Sequence, residues 1–263
     1  MGWIGKIVGG AVGFALGGPL GAIAGVALGH GFDATRDAIN RGERGAAGGF
    51  TSFGRQAFGE SPLRHAQLTF FVGSFSMLAK LAAADGNVSQ AEVRTVEEFM
   101  NRDLRLDPQS RRVATDIFNT ALSSPETFES FANQFHGEFA NRPQLLELMI
   151  DVLYRVSAAD GKISSAEEDL IRRAADIFDF SAARLDNIKK RYSRSDDTYY
   201  AVLGCSRSDS DEAIKKAYKN LVREYHPDTI ASKGLPEEFT EFANKKFREI
   251  QEAYENIRKE RGF

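Results

Sequence analysis

His226, Pro227 and Asp228 end the charged stretch "IKKAYKNLVREYHPD", and their types and order most readily suggest chemistry in this chain. A histidine beside a carboxylate is the pairing used by general bases, with the acid orienting the ring. Here the intervening proline makes close contact of the two side chains awkward, and no nucleophile lies nearby in sequence. A helix stop at Pro227 with a surface histidine, or an exposed recognition turn, are the other readings. Two Asp-Gly pairs, Asp85-Gly86 and Asp160-Gly161, raise a calcium loop. Such a loop wants oxygen ligands at alternate positions and a glutamate at the twelfth. Counting from Asp85, the twelfth position is Val96, and counting from Asp160 the third is Lys162, so neither copy fits. Cys205 is the single cysteine, which excludes an internal disulfide and a thiolate zinc site and fits a reducing compartment. No catalytic residue, metal or cofactor is expected.

The elements that must position His226 and Asp228 follow from helical spacing. Ser208 or Ser210 caps a helix whose first turn carries Asp209, Asp211 and Glu212, where the dipole favours acids. Ile214, Ala217, Tyr218 and Leu221 form its buried stripe, and Lys215, Lys216, Lys219 and Arg223 its basic side. Tyr199, Tyr200, Val202 and Leu203 precede it as a short apolar helix ended by Gly204. After the turn, Phe239, Phe242, Phe247, Ile250, Ala253 and Tyr254 give another helix an apolar face. Two such helices packed antiparallel hold His226-Pro227-Asp228 exposed at one end. Buried, Tyr218 would cost about 3–5 kcal/mol on truncation.

The 263 residues carry 34 basic against 37 acidic side chains, a balance that argues against general nucleic-acid binding. Proline is sparse and β-branched alternation is missing, so the chain reads as all-α. Ile7 to Gly29 contains no charge and, as a helix, reaches roughly 34 Å, enough to cross a hydrocarbon core of about 30 Å. Gly9, Gly13, Gly17, Gly21 and Gly25 recur at every fourth position and form a bare stripe through which a second copy could pair. A cleaved signal peptide is the alternative, with Lys6 as its charged start and Ala22 to Ala24 as its cleavage site. Residues 1–6 form a short tail and 30–65 a glycine-containing tether. Arg36, Arg41 and Arg44 follow the span, which puts the N-terminus in the periplasm and the bulk in the cytoplasm.

Residues 66–192 hold an internal repeat: "AADGNVSQAE" from Ala83 recurs as "AADGKISSAE" from Ala158. Leu68, Phe71, Phe75 and Leu78 precede the first copy, and Leu145, Met149, Val152 and Val156 the second, as one-sided stripes. Val93, Val96 and Met100, then Leu170, Ala174 and Ile177, follow. Ser89 with Glu92 and Ser164 with Glu167 have capping-box spacing, so both second helices start there. Val113, Ile117 and Leu122 mark a helix between the copies, and Phe128, Phe131, Phe135 and Phe139 another. With Ala182 to Arg191 these make a bundle of about seven helices.

The segment Ala66 to Tyr192, with its duplicated "ADG" turn, resembles the TerB-like helical domain, a family linked to metal-related stress. After the polar linker Ser193 to Asp197, the pieces "YYAVLG", "IKKAYKNLVREYHPD" and "REIQEAYENI" within 193–263 resemble the J-domain of DnaJ-type co-chaperones. With the glycine-rich span, the whole resembles the membrane-anchored J-domain co-chaperones of bacteria. That resemblance implies that His226, Pro227 and Asp228 dock on ATP-bound DnaK and trigger its hydrolysis, with Tyr218, Lys215, Lys219 and Arg223 facing the partner. It also implies residence at the inner membrane. Asn220, Glu224 and Thr229 depart from the family, where basic residues are common. A membrane signalling or metal-stress adaptor acting through the TerB-like segment is the alternative.

Overall fold

The computed structural model describes residues 17–27, 62–86, 88–159, 161, 163–192 and 198–263. Helix α1 covers 17–27, α2 Pro62–Ala82 and α3 Gln90–Glu98, which runs into a π-helical turn at Phe99–Asp103. Then come α4 (Pro108–Ser123), α5 (Phe128–Phe139), α6 (Pro143–Ser157), α7 (Ser165–Ile177) and α8 (Ala182–Arg191). The C-terminal part holds α9 (Thr198–Leu203), α10 (Asp211–Glu224), α11 (Pro227–Ser232), a 3-10 turn at Glu237–Phe239 and α12 (Thr240–Arg261). Among the described residues there is no strand, as the all-α reading requires. Two compact units form, one of Met1–Val88 with Leu106–Glu138 and one of Ser89–Arg105 with Phe139–Phe263. The second copy of the repeat therefore shares a unit with the C-terminal helices.

In the first unit α2 packs along α4. Helix α2 is buried on nearly every side, including Phe70, Phe71, Val72, Phe75, Met77 and Leu78, where its spacing suggested a single stripe. It is covered from more than one direction: Phe70 meets Phe135 of α5 at 5.4 Å between ring centres, and Lys80 donates to the Ser124 carbonyl. The expected membrane span lies outside the described residues at 7–16 and at 28–29. Within α1, Gly18 adopts φ 61° ahead of Pro19, a break that the proline imposes by disfavouring α geometry before it. Gln134 of α5 takes up the backbone freed there, donating to the Gly17 carbonyl and accepting from Leu20 N–H. Leu20, Ile23, Ala24 and Ala27 are buried, while Gly17, Gly21 and Gly25 stay half-exposed. Among the described residues no helix is long and apolar enough to cross a membrane.

Both repeat turns take the geometry that their residues dictate. Gly86 and Gly161 sit at φ 102° and 87°, which a side chain would strain. Ser89 with Glu92 and Ser164 with Glu167 close complete capping boxes at the starts of α3 and α7. The buried face of α7 is Ile171, Ala174, Ala175 and the following Phe178, not Leu170, Ala174 and Ile177. The two stripes share Ala174, and the one carrying the phenylalanine ring is turned inward. Val93, expected in the core, is 36% exposed. Helix α6 is the interior of the second unit: every residue from Leu145 to Ser157 except Arg155 is buried. It too is enclosed all round, not along one stripe.

Candidate functional site

Helix α10 begins at Ser210, whose hydroxyl accepts from Ala213 N–H, so Ser210 and not Ser208 is the cap. Gly204, at φ 65°, ends α9 as expected. One continuous helix from Asp211 to Glu224 places Lys215, Lys219 and Arg223 on one face by i, i+4 spacing. Lys219 and Arg223 are exposed. Lys215 is half-buried, with its ammonium 4.3 Å above the Phe263 ring. Tyr218 is half-buried rather than core: its ring lies flat on Tyr254 at 3.9 Å, and only one side is covered.

The His226 turn is not a simple hairpin loop, because it opens the extra helix α11. His226 adopts φ −57° and ψ 135°, the extended geometry demanded before proline. Pro227 occupies the first helical position, where its missing N–H costs nothing. The ring Nδ1 of His226 accepts from Asp228 N–H at 3.3 Å, which caps the helix. Burial of Ile230 draws α11 onto the core. The side chains of His226 and Asp228 are 51% and 96% exposed. They approach to 3.9 Å, closer than the intervening proline suggested but not hydrogen-bonded. Phe247 supports the His226 ring edge-on at 5.8 Å.

Beneath this surface lies a charge cluster that the sequence reading did not assign. Glu147 and Asp151 project from the enclosed helix α6, so each needs cations to offset desolvation. Arg184 and Arg191 bind Glu147 at 2.7 and 3.0 Å, and Arg191 reaches Asp151 at 3.3 Å. Lys246 of α12 completes the cluster at 2.6 Å from Asp151. Burial pushes the Glu147 carboxyl up, but Arg191, Lys246 and Arg184 outweigh it and hold it at about 2. Burial raises Glu249 of α12. The Tyr192 hydroxyl donates to Asp151, and burial followed by that carboxylate's charge pushes the phenol well up. A second tie runs through the π-helical turn: Asp103 binds both Arg155 of α6 and Lys245 of α12, and Phe99 meets Phe242. One signal was legible, since Lys246 interrupts the apolar stripe of Phe242 and Ile250. Among the described residues no group of three or more His, Cys, Asp or Glu side chains is placed to hold a metal ion.

Family models match in the same order as these parts. Residues 1–54 match the co-chaperone DjlA transmembrane domain, 72–190 the tellurite resistance protein TerB, and 198–261 the DnaJ domain. An exposed His-Pro-Asp turn in a DnaJ domain, joined to a TerB-like bundle and a membrane domain, defines a membrane-anchored J-domain co-chaperone. Co-chaperone protein DjlA of Photobacterium profundum is 32% identical, covering 98% of this chain and 99% of its own length. The DjlA proteins of Coxiella burnetii and Escherichia coli O157:H7 are 30% and 27% identical, over 99% of both chains and 100% of both. The chain belongs to the DjlA co-chaperone family, and its match to that family's transmembrane domain makes it a membrane-anchored member. No solved structure matches it.

Proposed function

We propose that the chain stimulates the ATPase of DnaK at the cytoplasmic face of the inner membrane and performs no covalent chemistry itself. The observation that carries this reading is the His226-Pro227-Asp228 turn, capped by His226 yet exposed at the end of a basic helix face. Lys215, Lys219 and Arg223 steer encounter with an acidic partner surface, and Tyr218 adds an aromatic edge. His226, Pro227 and Asp228 supply orientation after docking. Asp228→Asn and His226→Gln leave the fold intact, because both side chains are exposed, and abolish stimulation in a single-turnover ATPase assay with DnaK. Undiminished stimulation by both variants would falsify the mechanism.

This reading requires a single pass with the N-terminus in the periplasm, since DnaK requires cytoplasmic ATP. A reporter active only in the cytoplasm and fused after Phe263 is then active. Recovery of a mature form starting near Gly25 from the periplasm instead identifies a signal peptide. Gly9, Gly13, Gly17, Gly21 and Gly25 form the face through which two copies pair. The half-exposure of Gly17, Gly21 and Gly25 in α1 favours that role; Gly9 and Gly13 lie outside the described residues. Leucine at Gly13, Gly17 and Gly21 keeps the segment apolar and removes self-association in a membrane-helix two-hybrid assay; equal association of both segments excludes the interface.

A further inference from the structure

We infer that the second half of the TerB-like region orients the His226-Pro227-Asp228 turn, with Gln144 of α6 as a positioning residue acting through Lys233. The inference rests on the DnaK-stimulating reading given above. One direct hydrogen bond from outside the J-domain reaches the helix that the turn opens, and buried side chains flank the turn. Tyr225, the residue immediately before His226, is 2% exposed, and its hydroxyl has no hydrogen-bond partner among the described residues. Burial, followed by the charge of Glu147 on α6, pushes its phenol well up. Lys233, which ends α11, donates from Nζ to Gln144 Oε1 at 2.7 Å. Phe247, beneath the His226 ring, is adjacent in sequence to Lys246, whose ammonium is held by Asp151. The Lys233–Gln144 hydrogen bond therefore ties the end of α11 directly to α6, while Tyr225 and Phe247 pack beneath the turn. Its outer side is left open, with Lys219, Arg223, His226 and Asp228 all exposed.

That combination favours presentation over masking. A docked J-domain whose recognition turn was covered would be inhibited, whereas here the grip ends beneath the turn. A turn held in one orientation loses little freedom when the partner binds, and its contacts fall where the reaction needs them. Gln144 is half-buried and 89 residues away from Lys233 in sequence, so it reaches the turn only through the fold.

The test titrates full-length chain, reconstituted in lipid nanodiscs, against ATP-loaded DnaK in a single-turnover assay. Gln144→Ala and Lys233→Ala each lower maximal stimulation about threefold to tenfold, with the half-saturating concentration held within about twofold. The double variant falls no further than the weaker single, because both remove one tie. Gln144→Glu keeps an acceptor for Lys233 and retains native stimulation. Amide exchange across residues 227–233 accelerates in Gln144→Ala. Native behaviour of Gln144→Ala alongside loss in Lys233→Ala overturns the inference, because Lys233 then touches the partner itself. Additive losses, or a change in half-saturation alone, overturn it too. Asp228→Asn in the same titration separates the two readings. If it stimulates fully, the DnaK function fails; if it is inactive while Gln144→Ala is native, only the positioning role fails.

Discussion

Lys246 Nζ lies 2.6 Å from a carboxylate oxygen of Asp151, with the two side chains 5% and 1% exposed. Both charges are shut away from water, so the pair is an obligation as much as a bond. Its two halves are unequal. Asp151 also accepts from Arg191 and Tyr192, whereas Lys246 hydrogen-bonds Asp151 and has Glu147 and Glu249 only as further charges. Asp151→Ala should therefore cost about 3–5 kcal/mol in urea unfolding, and Lys246→Met distinctly less. Equal losses would show that the lysine is solvated in solution.

The same cluster sets an acid response. Glu147 is held at about 2 against an ordinary 4.5, so its folded-state value is depressed. Its contribution is complete above about 4.5 and is lost as pH falls towards 2. The whole shift corresponds to about 3 kcal/mol. Glu249 works in the opposite sense, because burial raises it and protonation relieves that cost. The drop in unfolding midpoint between about pH 6 and about pH 3 should be smaller in Glu147→Gln, which is less stable at pH 6, than in the native chain.

Tyr218 and Tyr254 stack at 3.9 Å with an interplanar angle of 4°. Because Tyr218 is only half-buried, Tyr218→Ala should cost about 1–2 kcal/mol, well short of the value for an enclosed ring. A double-mutant cycle with Tyr254→Ala should return a coupling of about 0.5–1.5 kcal/mol. A cycle near zero would mean that the stack is not populated in solution.

Gly73 in α2 sets two effects against each other. Alanine would favour the helix by about 1 kcal/mol. Its Cβ, however, would lie 2.6 Å from Cδ2 of Phe135, a fully buried ring. Overpacking there costs about 1–3 kcal/mol and should win, so Gly73→Ala lowers the melting temperature. A rise in melting temperature would show that the ring can move aside.

Features set by neighbouring residues could be read directly from the sequence. The capping boxes at Ser89 and Ser164, the helix stop at Gly204 and the exposed His226 turn each depend on a few adjacent side chains. Tyr218 was misjudged because helical spacing identifies a face without saying how deeply it is covered. The Asp151–Lys246 pair spans 95 residues, and such pairing emerges only when helices meet. Even so, Glu147 and Asp151 inside an apolar run, and Lys246 on an apolar stripe, were charges in places that exact a partner. Sequence could mark those positions as unusual but could not match acid to base.

The cap at α11 also fixes the chemical face that the turn shows outward. With Nδ1 accepting Asp228 N–H, the neutral imidazole carries its proton on Nε2. On the docking proposed above, the partner would meet a hydrogen-bond donor from His226 and an acceptor from Asp228, separated by the rigid pyrrolidine of Pro227. Recognition of both requires the reverse order of groups on the other side, an acceptor facing the ring and a donor facing the carboxylate. Under that proposal the turn is a polarised key: exchanging His226 and Asp228 would preserve composition and charge while presenting the wrong sequence of polar groups.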